Sequence, residues 1–267
     1  MRYGLTLPIF DELADPRLLA ELAARADAAG WDGVFVWDHV LYREPVRAAT
    51  DPWTALAAMA LATSRVRIGP MVTPLARRRP QVVARKVAAL DHLSGGRFVL
   101  GTGLGLDGSG GEFARFGEPA DVRVRAAAYD EALGLVRGLL SGRRVDHVGP
   151  TFTADGVRFL PTPLQAEVPI WCAARWPHRR PLVRAARHQG VALIDLGGPA
   201  DVAEARTVLG ELRADDLDGF EVVVQRPAGD DHRPWAAAGA TWLLTAFDPF
   251  SVTADDVRRA IDARPTD

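Results

Sequence analysis

The chain reads as an α/β protein of the (β/α)8 TIM-barrel class, and three observations predict that fold. Eight short apolar runs alternate with helix-like segments from one end of the chain to the other. The runs are close to continuously hydrophobic, as parallel strands covered on both faces must be. The length of 267 residues, 48% of them hydrophobic and 25% charged, fits one large core in a fold that commonly takes about 250 residues. A single domain over residues 1–267 is therefore expected.

Arg2 to Ile9 is the first strand. Asp15-Pro16 then supplies an N-cap and a proline suited to the first helical position, and Leu18, Leu19, Leu22 and Ala26 form an apolar stripe up to Gly30. Trp31 to Trp37 is the second strand, and the polar loop Asp38 to Asp51 leads to an alanine-rich helix, Trp53 to Ala62. Arg65 to Thr73 is the third strand, followed by a Pro/Arg loop and the helix Gln81 to Leu93.

The fourth unit is LSGGRFVLGTGLG, Leu93 to Gly105. Ser94-Gly95-Gly96 ends the preceding helix, Arg97 to Gly101 is the strand, and the glycines after it leave the backbone bare where the strand emerges. Such glycines either admit a planar ligand or a phosphate, or only turn the chain and relieve crowding beside a strand. Gly103, Gly105 and Gly108 also satisfy G-x-G-x-x-G. No helix opens at once, however, and Asp130 and Glu131 lie in a helical pattern, so a dinucleotide site of the Rossmann kind is not expected.

The helix of this unit spans Val122 to Leu140. Residues 141–168 are too irregular for a barrel element and are expected to fold over the rim as an insertion between units four and five. Alternation resumes with strand five, Pro169 to Ala173, and a helix from Pro181 to His188. Val191 to Leu196 with Ala200 to Arg213, Phe220 to Gln225 with Pro234 to Ala238, and Thr241 to Ala246 with Ala254 to Ala263 complete the eight units.

The net charge of −2 leaves no electrostatic footprint for nucleic acid or anionic lipid. Small molecules or further copies of the chain are the expected partners. Cys172 is the only cysteine, so neither an intrachain disulfide nor a cysteine-based zinc site can form, and it reads as core. The six histidines are scattered, and no metal site is expected. With no secretory leader and no membrane-length apolar run, a cytoplasmic location is expected.

Ligand sites in such barrels lie where strands run into the following loops. After strand two stand Asp38 and His39, a carboxylate that can orient a ligand donor and an imidazole that can move a proton near neutral pH; a rim histidine bonded to a loop is the plainer alternative. Successive strand residues face opposite ways, so both point inward only if the strand has already ended. After strand three, Pro70, Met71, Val72 and Thr73 imply irregular backbone, and the Arg77-Arg78-Arg79 run reads as a solvated face. After strand five, Ala174, Arg175, Trp176 and Arg179 read as a phosphate cradle of free amides and cationic side chains, with a proline-rich turn carrying incidental arginines as the plainer alternative.

WDHV at the end of strand two, GPMVTPLARRRP after strand three, LDHLSGGRFVLGTGLG and PIWCAARWPHRRPLVRAAR together resemble the bacterial luciferase-like monooxygenase superfamily, over nearly the whole chain from Tyr3 onward. The resemblance implies a TIM barrel that binds FMN or the deazaflavin F420 at the carboxyl ends of its strands. It implies that the ring rests on a bulge with a non-prolyl cis peptide, mapped to Pro70 through Thr73 with Met71-Val72 as the bond. Gly103 and Gly105 would lie near it, the cofactor phosphate would lie at Ala174 to Arg179, His39 would work beside the reacting ring, and Asp38 would contact the cofactor.

A glutamate that sugar-phosphate dehydrogenases of the F420 branch carry after the strand-four glycines is replaced by Leu106, so a sugar dehydrogenase is not expected. The implied activity is hydride transfer to or from a small organic substrate. The alternatives are an oxygen-using FMN monooxygenase fed by a separate flavin reductase, a flavin-binding barrel without turnover, and a barrel enzyme that takes a phosphorylated substrate without flavin. Leu41, Tyr42, Phe113, Phe116 and Phe152 point to a moderately hydrophobic substrate. A homodimer is expected by analogy.

Overall fold

The computed structural model describes residues 1–264, and the eight-fold alternation is present. It begins with β1 (Arg2–Leu7), α1 (Pro16–Ala28), β2 (Gly33–Val36) and α2 (Pro52–Ala62). The third position holds two short strands, β3 (Arg67–Pro70) and β4 (Thr73–Pro74), and then α3 (Pro80–Leu93). Next come β5 (Leu100–Gly103), α4 (Val122–Leu140) and a hairpin of β6 (Arg144–Val148) and β7 (Thr153–Arg158). The ring continues with β8 (Ile170–Arg175), α5 (Arg179–Ala185), β9 (Gly190–Ile194) and α6 (Pro199–Leu212). It ends with β10 (Glu221–Pro227), α7 (Arg233–Ala237), β11 (Trp242–Ala246) and α8 (Ala254–Asp262).

The parallel strands follow the order β3-β2-β1-β11-β10-β9-β8-β5-β4. An Ile68–Phe98 bridge joins β3 to the segment entering β5, and β4 pairs with the end of β5 through Thr73–Thr102 and Pro74–Gly103. The third strand therefore closes the ring although it is broken at Met71-Val72. Local chemistry explains the helix starts: Asp15 accepts from the Arg17 amide ahead of Pro16, and Asp121 accepts from the Arg123 and Val124 amides, caps worth about 1 kcal/mol each.

The barrel interior is packed. Phe35, Trp171 and Trp242 meet with ring centroids 5.3 to 6.0 Å apart, and Val99, Val223 and Leu244 fill the space around them. A larger core lies between strands and helices, where side chains such as Leu19, Leu22, Val83 and Leu133 each contribute about 1.5 to 3 kcal/mol by leaving water. Burial pushes the Cys172 thiol pKa up and keeps it protonated within this layer.

The segment 141–168 does not fold over the mouth. Its hairpin is clasped to the outer side of α3 and α4: the Glu131 carboxylate meets His147 Nε2 at 2.9 Å and accepts the Thr151 and Phe152 amides. Gln165 donates to Asp91 and to the Phe98 carbonyl at the entry to β5. Phe152, expected beside a substrate, packs into the core instead. Strand four also runs further than its apolar pattern implies, so Gly103 lies within β5 and not beyond it. Among the described residues, no helix is long and apolar enough to cross a membrane.

Candidate active site

Since β2 ends at Val36, the two residues after Trp37 are free to diverge, and they do. Asp38 is buried with its side chain fully enclosed. Its Oδ1 accepts from Arg77 Nη2 at 3.0 Å and Arg78 Nη2 at 2.5 Å, and its Oδ2 accepts from Arg78 Nε, Thr73 Oγ1 and Trp53 Nε1. Asp38 therefore fastens the loop after β4 to the end of β2, and the residue also lines the cavity. Arg77 and Arg78 are not the solvated face that three consecutive arginines imply. Their side chains are 6% and 18% exposed, and burial is tolerable because each guanidinium has a carboxylate partner.

His39 faces the cavity. Its Nδ1 lies 2.8 Å from Glu112 Oε2, and Glu112 Oε1 accepts from the Val40 amide at 2.7 Å and Arg77 Nη1 at 2.6 Å. Burial would raise the Glu112 pKa, but the hydrogen bond from His39, with the Arg77 guanidinium and the Val40 amide, holds it below the ordinary glutamate value. An ionised Glu112 can only accept, so the His39 proton resides on Nδ1 and Nε2 is left open. Nε2 has no protein partner among the described residues. Ring centroids of Tyr42, Phe10 and Trp37 lie 5.0, 5.7 and 5.9 Å from the imidazole and fix its plane.

Glu112 was not visible in the sequence. Leu106 stands where a glutamate was sought, but the loop folds back through Asp107, whose Oδ1 accepts the Phe113 and Ala114 amides, and delivers a carboxylate six positions later. The signal available was the arginine run itself, since buried guanidiniums need carboxylates. Of Leu41, Tyr42, Phe113, Phe116 and Phe152, Tyr42 alone lines the cavity.

The cavity has a volume of about 1400 Å³, beyond the roughly 300 to 1,000 Å³ of a typical small-molecule pocket. Its floor includes Val72, Ala173, Ile194 and Gln225. The peptide between Met71 and Val72 is cis, and both residues line the cavity, whereas Pro70 and Thr73 anchor the bulge in the ladders on either side. Gly103 is needed for space, because a Cβ there would stand 2.6 Å from Val72 Cγ2. Gly105, at φ +78°, needs both the conformation and the space beside Phe113 and Pro74.

The strand-five cradle differs from expectation. Ala174 is buried in the outer core, and Ala173 faces the cavity in its place. Trp176 packs on the core, and its amide is consumed by the Ile194 carbonyl at 3.0 Å. The ladder extends through this turn and takes up the Trp176 amide, while α5 opens at Arg179 with no side-chain cap on its first amides. Arg175, paired with Asp195, and Arg179, paired with Glu211, both line the cavity. Arg125 joins them, on the buried stripe of α4 with Tyr129 and Leu133. It is 4% exposed, donates to the Gly105 carbonyl, lies 4.6 Å from the Phe113 ring centroid, and leaves its Nε without a partner. A planar ligand with an anionic tail fits these features, with the bulge for its plane and a partnerless buried guanidinium nitrogen near its charge.

The parallel ring, with a histidine–glutamate pair and a large cavity at the carboxyl ends of its strands, defines a TIM-barrel protein of enzyme type. Residues 1–254 match the model of the luciferase-like monooxygenase family, and the chain belongs to that family. It is 32% identical to the F420-dependent glucose-6-phosphate dehydrogenase of Beutenbergia cavernae, over 94% of this chain and 77% of that protein. Identity to the protein of the same name from Amycolatopsis mediterranei is 36%, over 61% of this chain and about half (49%) of that relative. The fold superposes on the coenzyme F420-dependent tetrahydromethanopterin reductase of Methanopyrus kandleri with a TM-score of 0.79 at 18% identity, covering 98% and 96% of the two chains.

Proposed function

We propose that this protein is an oxidoreductase that binds F420 at the barrel mouth and serves hydride transfer between the cofactor ring and an uncharged organic substrate. The observation that carries this reading is the open Nε2 of His39, backed by ionised Glu112, in a cavity with room for a ring system and a second reactant. Family membership and the F420-dependent relatives support it. Pro70, Met71, Val72 and Thr73 would support the ring beside Gly103 and Gly105. Arg125, Arg175 and Arg179 would hold the anionic tail, while Asp38 acts by holding Arg77 and Arg78 in place. When bound, F420 supplies the hydride donor or acceptor; the protein positions it and excludes water.

His39 Nε2 takes or gives the proton that accompanies reaction at a carbonyl or alcohol oxygen, and Glu112 keeps the ring in the tautomer that allows it. The walls near His39 are Trp37, Tyr42 and Leu106, and the neighbouring cations Arg77 and Arg78 are already neutralised, so a sugar phosphate finds no free charge there. We read the chain as one cytoplasmic luciferase-like domain acting as a homodimer. The family's monooxygenases keep FMN in play as a second reading; it would require oxygen and a separate flavin reductase. Titration of the purified protein with F420 and with FMN decides between them. Tight binding of F420 with weak binding of FMN is the expected result, and failure to bind either would overturn the proposal.

A further inference from the structure

The titratable and charged side chains packed around His39 come from three segments: Asp38 and Tyr42 after β2, Arg77 and Arg78 after β4, and Glu112 after β5. Arg43 and Asp248 act on Tyr42. Two guanidiniums divide the two carboxylates between them. Arg78 grips Asp38 with two nitrogens, Nε at 2.9 Å and Nη2 at 2.5 Å, and that pair is neutral. Arg77 spans the gap: its Nη1 donates to Glu112 Oε1 at 2.6 Å, while its Nη2 donates to Asp38 Oδ1 at 3.0 Å and to the Asp38 carbonyl at 3.2 Å. The side chains of Arg77 and Glu112 are 6% and 2% exposed, so water neither screens this contact nor replaces either partner.

A buried carboxylate beside an imidazole orients the ring and attracts a proton to it, and Arg77 separates these two effects. Glu112 Oε2 still accepts from His39 Nδ1 at 2.8 Å, which fixes the ring and its tautomer. Its negative charge is already matched on the other oxygen, so a proton added at Nε2 leaves the cluster with one positive charge in excess. An unmatched glutamate would instead hold imidazolium in place and make the ring a poor donor of that proton. We propose that Arg77 is a positioning residue for the His39 proton: by neutralising Glu112 and tying its carboxylate to Asp38, it orients the imidazole without trapping it in the charged form. Arg77 does not line the cavity, so it acts only through Glu112. Its part in the reaction rests on the F420 reading and on the proton role given to His39 above.

The test follows the His39 Cε1–H resonance in NMR titrations of the full-length, cofactor-free protein, with His39→Gln to identify the signal. Arg77→Met removes the cation at similar volume, and the pH at which the His39–Glu112 pair takes up its first proton should rise by about one to three pH units. Glu112→Gln leaves the guanidinium unmatched beside the ring, and the midpoint should fall. Arg77→Met/Glu112→Gln removes both charges, leaves no buried unpaired ion, and should bring the midpoint back close to that of the wild type. Arg77→Lys, which keeps the charge and loses the fork, should also stay close to it. An unmoved midpoint in Arg77→Met, or a double variant that tracks Glu112→Gln, would make Arg77 a loop anchor and overturn the proposal. Where Arg77→Met does not fold, the double variant against Glu112→Gln decides by itself: recovery supports the proposal and coincidence overturns it.

Single turnovers with bound F420 join the titration to the reaction. In the direction of alcohol oxidation, where the unprotonated imidazole reacts, the acid limb of the rate–pH profile should move with the midpoint in each variant. A midpoint that moves while the limb stays fixed would overturn the role in the proton step. If the wild type binds no F420, the cofactor reading falls and the titration still decides what Arg77 does to His39.

Discussion

His39 and Glu112 are 73 residues apart in sequence and 2.8 Å apart in the structure, and the chemistry proposed for the mouth rests on that contact. Glu112→Gln keeps the shape but can hydrogen-bond to either tautomer. Cofactor turnover is expected to fall by up to about 10²-fold, part of what a general acid or base contributes, with cofactor affinity little changed. Unaltered turnover in stopped-flow measurements would make Glu112 a loop anchor only. Asp38→Asn should act through stability. It leaves Arg77 and Arg78 short of a buried partner, and urea denaturation should show a loss of about 3 to 5 kcal/mol. His39 was legible because histidine after a barrel strand is a short-range signal. Glu112, Arg77 and Arg78 were not, since a buried ion network is a property of loop paths that periodicity does not encode.

At the scale of elements, the bulge between β3 and β4 depends on glycines in the neighbouring strand. Gly101→Ala would press its methyl into the Pro70 carbonyl, and overpacking of about 1 to 3 kcal/mol is expected, read as a lower Tm together with weakened cofactor binding. The turn from α5 into β9 carries a second liability. His188 is 7% exposed, its Nδ1 has no partner, and burial, with the charges of Arg137, Arg184 and Arg187, lowers its pKa from 6.5 to about 4.

The unfolded chain therefore takes up a proton near pH 6.5 that the folded chain refuses until about pH 4. Stability should be full above about pH 6.5 and decline toward pH 4 by up to about 3 kcal/mol, a slope that His188→Leu should flatten in urea melts across that window. Glu112, whose pKa is lowered, acts in a lower window, with its contribution lost as pH falls through its folded value. Helix α4 was legible to its end residues, Val122 and Leu140. Helix α5 and the strand-five turn were not, because a ladder bond from the Trp176 amide to the Ile194 carbonyl, invisible in sequence, fixes where the strand stops.

For the molecule as a whole, eight strand–helix units were readable because parallel strands buried on both faces leave continuous apolar runs, and length then favours closure. The course of residues 141–168 was unreadable because it is set by polar clasps to Glu131 and Asp91 on distant helices. What the closed ring achieves is a mouth where His39, the cis-peptide bulge and Arg125 face one cavity. The most direct measurement is single-turnover hydride transfer with bound F420 in the wild type and in His39→Ala, alongside cofactor affinity for both. A rate loss of about 10²- to 10⁴-fold with affinity nearly unchanged is expected. Equal losses in rate and affinity, or an unaffected rate, would contradict the role assigned to His39.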